Sequence, residues 1–79
     1  MKVSILNLGI GNLLSVKQAL ENTGATVTIS VDSLNIRNTD ALILPGVGNY
    51  KAAIKRIEAA RLRPILEKWF EQNKPCLGI

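Results

Sequence analysis

Two glycine-bearing turns hold the residues best suited, by type and spacing, to do chemistry. One is Pro45-Gly46-Val47-Gly48, which follows the strand-like run Asp40-Ala41-Leu42-Ile43-Leu44 and precedes a helical pattern. Glycines on either side of Val47 remove Cβ atoms, so the amide N–H groups of the turn can approach a ligand oxygen, while Pro45 fixes the angle at which the chain leaves the strand. The other turn, Gly9-Ile10-Gly11-Asn12, follows the first apolar run in the same manner. Open α/β folds bind their ligands beyond the carboxyl ends of the strands, and both turns fall there. The plainer reading is that Pro and Gly merely join strand to helix.

Other groups offer less. Histidine is absent, which excludes any Cys-His or Ser-His mechanism confined to this chain. Cys76 is the only thiol; it sits beside Leu77 in an apolar strand pattern, with no histidine and no turn to expose it, and reads as a buried, inert side chain. Gly9-Ile10-Gly11-Asn12-Leu13-Leu14 shares two glycines with the dinucleotide fingerprint, and Asp32 lies about where a ribose-binding acid would fall. Leu14, however, takes the place of the third glycine. A nucleotide-binding half-domain is one alternative reading, and phosphate held at the amino end of the first helix is a milder form of it.

The elements that must position these turns are legible from periodicity. Val3 to Leu8 is nearly all apolar, as in a strand buried on both faces of a parallel sheet. Asn12 is a suitable N-cap for a helix carrying Leu13, Val16, Ala19 and Leu20 at helical spacing, with Gly24 as its stop. Ala25 to Val31 alternates and is β-branched, which places a strand nearer a sheet edge, and Asp32-Ser33-Leu34-Asn35 then turns. Beyond the second glycine turn, Ala52, Ala53, Ile54, Ile57 and Ala60 mark one face of a helix. Pro64 suits the first turn of another helix, which presents Ile65, Leu66, Trp69 and Phe70 inward. Cys76-Leu77-Gly78-Ile79 begins a further apolar strand. Strands alternating with helices imply βαβ units and a parallel sheet with right-handed crossovers.

Composition bounds the rest. With 79 residues, 47% of them hydrophobic, and one cysteine, the chain reads as one small α/β domain or a piece of one, residues 1–79, without a disulfide of its own. So small and apolar a chain is expected to pack against a partner, or to associate or order incompletely alone, because its last strand has no helix to cover it. The net charge of +4 comes from Lys and Arg mixed with Glu along helices, without the dense basic stripe and interleaved aromatics of a nucleic-acid surface. No run reaches the ~18 apolar residues of a transmembrane helix, and the amino terminus reads as a strand, not a signal peptide. The expectation is a cytoplasmic protein that binds neither nucleic acid nor membrane, with no cofactor or metal site.

Taken together, Gly9-Ile10-Gly11-Asn12-Leu13, Leu44-Pro45-Gly46-Val47-Gly48 and Lys74-Pro75-Cys76-Leu77-Gly78-Ile79 resemble, in that order, the class I glutamine amidotransferases. They are most like the glutaminase subunits that deliver ammonia to a cyclase subunit in histidine biosynthesis. The resemblance runs over the whole chain and spans about the first two-fifths of such a subunit. It implies a flavodoxin-like parallel sheet that is an incomplete amidotransferase fold. It also implies glutamine as substrate of the complete subunit, hydrolysed by a cysteine thiolate at a strand-to-helix elbow.

In the family that cysteine comes directly after the Leu-Gly-Ile strand, so its counterpart would follow Ile79, and the partnering histidine and glutamate lie further on. The chain then holds no catalytic side chain, and Cys76 corresponds to a variable strand position. What carries over is the turn: Pro45 and Gly46 support it, and a backbone amide near Val47 and Gly48 serves the oxyanion hole. Gly11 and Asn12 would face the cyclase subunit. On this reading the 79 residues alone do not hydrolyse glutamine. A non-catalytic interaction module that keeps the cyclase-facing surface is a further alternative.

Overall fold

The computed structural model describes residues 1–9, 12–45 and 50–79. Strand β1 (Lys2–Leu6) lies between β2 (Thr26–Ser30) and β3 (Ala41–Leu44), and β4 (Cys76–Gly78) pairs with β3, all in parallel, giving the order β2-β1-β3-β4. The parallel sheet is the one expected from the alternation of strands and helices, and its order is the flavodoxin-like arrangement that the resemblance implies. Ser4 sits opposite Thr28 on one side and Leu42 on the other, so β1 is hydrogen-bonded along both edges.

Its two faces build two cores. Val3 and Ile5 join Val27, Ile43 and the half-buried Leu13, Val16 and Leu20 of helix α1 (Leu13–Glu21). Leu6 points the other way and packs with Leu8, Ile36, Leu42, Leu62, Leu66 and Trp69, supplied with β3 by helices α2 (Ser33–Arg37) and α4 (Arg63–Glu71) and the segments beside them. Helix α3 (Tyr50–Ala59) adds Ala53 and Ile57 to that second face. One helix therefore covers one face and three cover the other. That follows from right-handed crossovers on a strand order that reverses at β1.

Local signals place the helix ends. Asn12 Oδ1 accepts a hydrogen bond from the Ser15 amide at 3.3 Å, and Gly24 takes φ +95° just past α1. Ala19, expected on the packed face, is exposed. Instead of the expected turn at Asp32-Ser33-Leu34-Asn35 the chain forms α2. Asp32 Oδ1 accepts from the Leu34 amide at 2.9 Å, and Ile36 is fully buried, worth about 1.5 to 3 kcal/mol of transfer free energy, enough to hold one and a half turns of helix. The expected inward pair on α4 divides: Trp69 is buried, with its indole N–H donating to the Pro75 carbonyl at 3.1 Å, while Phe70 is 52% exposed. Phe70, one residue further round α4 than Trp69, falls outside the stripe by which Ile65, Leu66 and Trp69 pack on the core.

Two polar features tie the layers. Thr39 Oγ1 donates to the Asn35 carbonyl at 2.6 Å, so the buried Ser4 hydroxyl, 2.6 Å from Thr39 Oγ1, acts as donor to it; the relay fastens β1 to the end of α2. Between α3 and α4 the Leu62 amide donates to the Ile57 carbonyl and the Arg61 amide to Glu58, both at 3.0 Å, with Arg61 at φ +56°. These are the paired bonds of a Schellman stop, sealed by the apolar contact of Leu62 with Ile57, but with arginine at the left-handed position where glycine is usual.

A left-handed conformation costs a β-carbon-bearing residue about 1 to 2 kcal/mol, less for Asn, whose side chain tolerates it. Arg61→Gly is therefore expected to raise unfolding stability by about 0.5 to 1 kcal/mol. Asn73, at φ +55° after α4, should gain less from the same replacement. Urea melts of the two variants check this; a loss of stability in Arg61→Gly contradicts the reading.

Candidate active site

Because β2 lies on one side of β1 and β3 on the other, the chain leaving β1 and the chain leaving β3 diverge at neighbouring strand ends. Ligand crevices of open α/β sheets form at such a point. At the exit of β1 the Leu8 amide donates to the Leu6 carbonyl at 3.1 Å, a tight bend that returns Leu8 to the core, and Asn7 Oδ1 accepts from the Gly9 amide at 3.3 Å. Gly9 has φ +72°, and a β-carbon there would stand 3.1 Å from Nη1 of Arg56. The glycine thus serves both a left-handed backbone and the close passage of a guanidinium. At the exit of β3, Leu44 is half-buried and Pro45 buried.

The third strand end completes the group. The Ile79 amide donates to the Leu44 carbonyl at 3.0 Å, so β4 finishes directly against the residue that precedes Pro45. The ends of β1, β3 and β4 share one edge of the sheet.

Of the residues singled out in the sequence, Asn12 is exposed at the start of α1 with its side-chain oxygen engaged as the cap, and Pro45 is seated at the end of β3. Gly11, Gly46, Val47 and Gly48 lie outside the described residues. Asp32, weighed as a ribose-binding acid, spends a carboxylate oxygen on the cap of α2, and Leu14 is exposed.

Arg56 was not singled out. Its residue type signals only a solvated helix, yet it follows the half-buried Ala52 and Ala53 by four and three positions, which turns its face of α3 toward the sheet. With Asn7, Leu8, Gly9, Val31, Ala59 and Ala60 it lines a cavity of about 390 Å³ beside the β1 exit. Among the described residues the ion pairs are those of Arg63 with Glu58 at 3.5 Å and Glu67 at 3.3 Å, exposed on both sides and so of little energetic weight.

Cys76 is not part of this constellation. It pairs in register with Leu42, two residues before the strand end, and packs against the core that contains Leu42 and Trp69. Burial raises its thiol pKa, since the thiolate would lose solvation. The stability this confers is full below the pKa of an exposed thiol and is lost as pH rises through the raised folded value. Alkylation by iodoacetamide should accordingly be slower than for glutathione at pH 8, with a rate profile whose midpoint is shifted to higher pH. A midpoint below that of glutathione would mark Cys76 as an activated thiol instead.

Comparison with known proteins places the chain. No family model matches it. The imidazole glycerol phosphate synthase subunit HisH of Prochlorococcus marinus is 39% identical over all 79 residues. The subunits of the same name from Shouchella clausii and Thermosynechococcus vestitus are 40% and 42% identical over 77 residues, or 98% of the chain. The chain spans 37% of the length of each of these three relatives. Over its whole length, then, the chain is similar to the amino-terminal part of the HisH subunits of imidazole glycerol phosphate synthase.

Proposed function

We propose that this chain supplies the oxyanion-stabilising part of a glutamine amidotransferase subunit, one that releases ammonia from glutamine for the cyclase subunit of imidazole glycerol phosphate synthase in the cytoplasm. The observation that carries the reading is the hydrogen bond from Ile79 to Leu44. A residue following Ile79 would emerge beside Leu44 and Pro45, where a nucleophile must stand if it is to share a carbonyl oxygen with amides of the segment that Pro45 opens.

The chemistry follows from this juxtaposition. A cysteine thiolate placed after β4 attacks the side-chain amide carbon of glutamine, and negative charge gathers on the former carbonyl oxygen. A backbone N–H near Val47 or Gly48 donates to that oxygen, together with a donor on the nucleophile's own side. The tetrahedral species collapses with loss of ammonia, and water hydrolyses the glutamyl thioester. One such donor is worth about 3 to 4 kcal/mol in the transition state when nucleophile and base are present. The histidine-free chain cannot turn over glutamine unaided. Asn12, exposed at the start of α1, and its sequence neighbour Gly11 would meet the cyclase that takes up the ammonia.

The test joins residues 1–79 to the remaining part of the Prochlorococcus marinus HisH relative and measures glutamine hydrolysis with its cyclase present. The chimera should be active, and Gly48→Pro, which deletes one amide donor, should lower kcat by about 100- to 1000-fold with little change in KM. Val47→Pro serves as the companion variant for the neighbouring amide. A folded chimera without activity, or undiminished kcat in both variants, refutes the assignment.

A further inference from the structure

At the amino ends of β3 and β4, on the sheet edge opposite the glycine turns, a cavity of about 260 Å³ is lined by Arg37 from the last turn of α2, Ile65, Lys68 and Trp69 of α4, and Gln72 and Lys74 from the segment leading into β4. Three cations and one amide border it, and no carboxylate does. Lys74 has a structural role. Its ammonium lies 4.4 Å from the centroid of the Trp69 ring and 3.5 and 3.4 Å from the carbonyl oxygens of Arg37 and Thr39, so a half-buried positive charge is fixed at the cavity wall. Arg37 and Lys68 form no ion pair among the described residues, yet both border the same space. The fold thereby gathers three like charges without supplying a counter-charge.

We propose that this cavity binds the phosphoryl group of a small molecule. A carboxylate would be satisfied by one forked guanidinium, whereas a phosphate monoester carries close to two negative charges and three acceptor oxygens. The Arg37 guanidinium, the Lys68 ammonium and the Gln72 amide provide more than enough donors, and the fixed Lys74 charge adds to the field. The rim is exposed, so the ligand reaches it without opening the core, and its apolar wall at Ile65 and Trp69 leaves room for the rest of the molecule. This site uses none of the residues of the glycine turns and stands or falls independently of the glutaminase reading.

Trp69 is the only tryptophan in the sequence and lines the cavity, so its fluorescence reports on occupancy directly. Titration of the chain with inorganic phosphate at constant ionic strength should give a saturable change in emission, accompanied by broadening of the phosphate signal in phosphorus NMR. Arg37→Gln combined with Lys68→Gln, two exposed positions whose side chains contribute nothing to the core, should weaken binding by about tenfold or more. The proposal is overturned if sodium chloride produces the same change, if the double variant binds phosphate as well as the parent, or if neither fluorescence nor NMR responds. Saturation by an acidic peptide but not by phosphate would likewise overturn it in favour of a protein contact.

Discussion

The parallel pairing of β1 on both edges governs the remainder of this molecule. Leu6, Ile5 and Val3 can be buried on two faces only because β2 and β3 satisfy the backbone of β1 from either side, and the chain reaches β3 only by crossing over β1. That crossing puts α1 on one face and the other helices on the opposite face. It also sends the connections after β1 and β3 apart at adjacent strand ends, which creates the one edge where backbone groups of several strands converge. The stability of the sheet and the location of the candidate active site are consequences of the same pairing.

The edge strand β4 shows what that arrangement leaves open. Leu77 pairs in register with the buried Ile43 yet is 57% exposed, because α1 does not extend over it. Cys76, on the other face of the strand, meets the core of α3 and α4 and is kept as a neutral thiol. A strand with one covered and one bare face, ending against Leu44, unites the two roles of this region: packing on one side, and delivery of the chain to the crevice at its end. The amino-terminal edge behaves differently. There Lys74 bridges the end of α2 and the ring of Trp69, so charge is used to hold helices together and remains on display.

How much of this could be read in the sequence depends on whether the cause was local. Asn12 as a cap, Gly24 as a stop, Pro64 in a first turn and the alternation of Ala25 to Val31 each carry their signal within a few residues, and the strands and longer helices follow from them. Helix α2 was hidden because five residues hold too little periodicity; only the burial of Ile36 against β1 and β3 makes the segment a helix. The placement of Trp69 inward and Phe70 outward depends on the rotation of α4, which two adjacent aromatics cannot specify. Arg61 holds a conformation its residue type disfavours, imposed by Leu62 entering the core. At the site, Gly9 was conspicuous but its neighbour was not: Arg56 is separated from Gly9 by most of the chain, and only the assembled sheet brings the two together.

The central claim is that the turn after β3 and the residue following β4 share one oxyanion. The most direct measurement is a crystal structure of the active chimera carrying a covalent, glutamine-derived adduct on its cysteine. The account predicts the adduct oxygen within about 2.7 to 3.1 Å of a backbone amide nitrogen in the segment from Pro45 to Gly48. An adduct oxygen held wholly by other donors, with those amides turned away from it, would contradict the account.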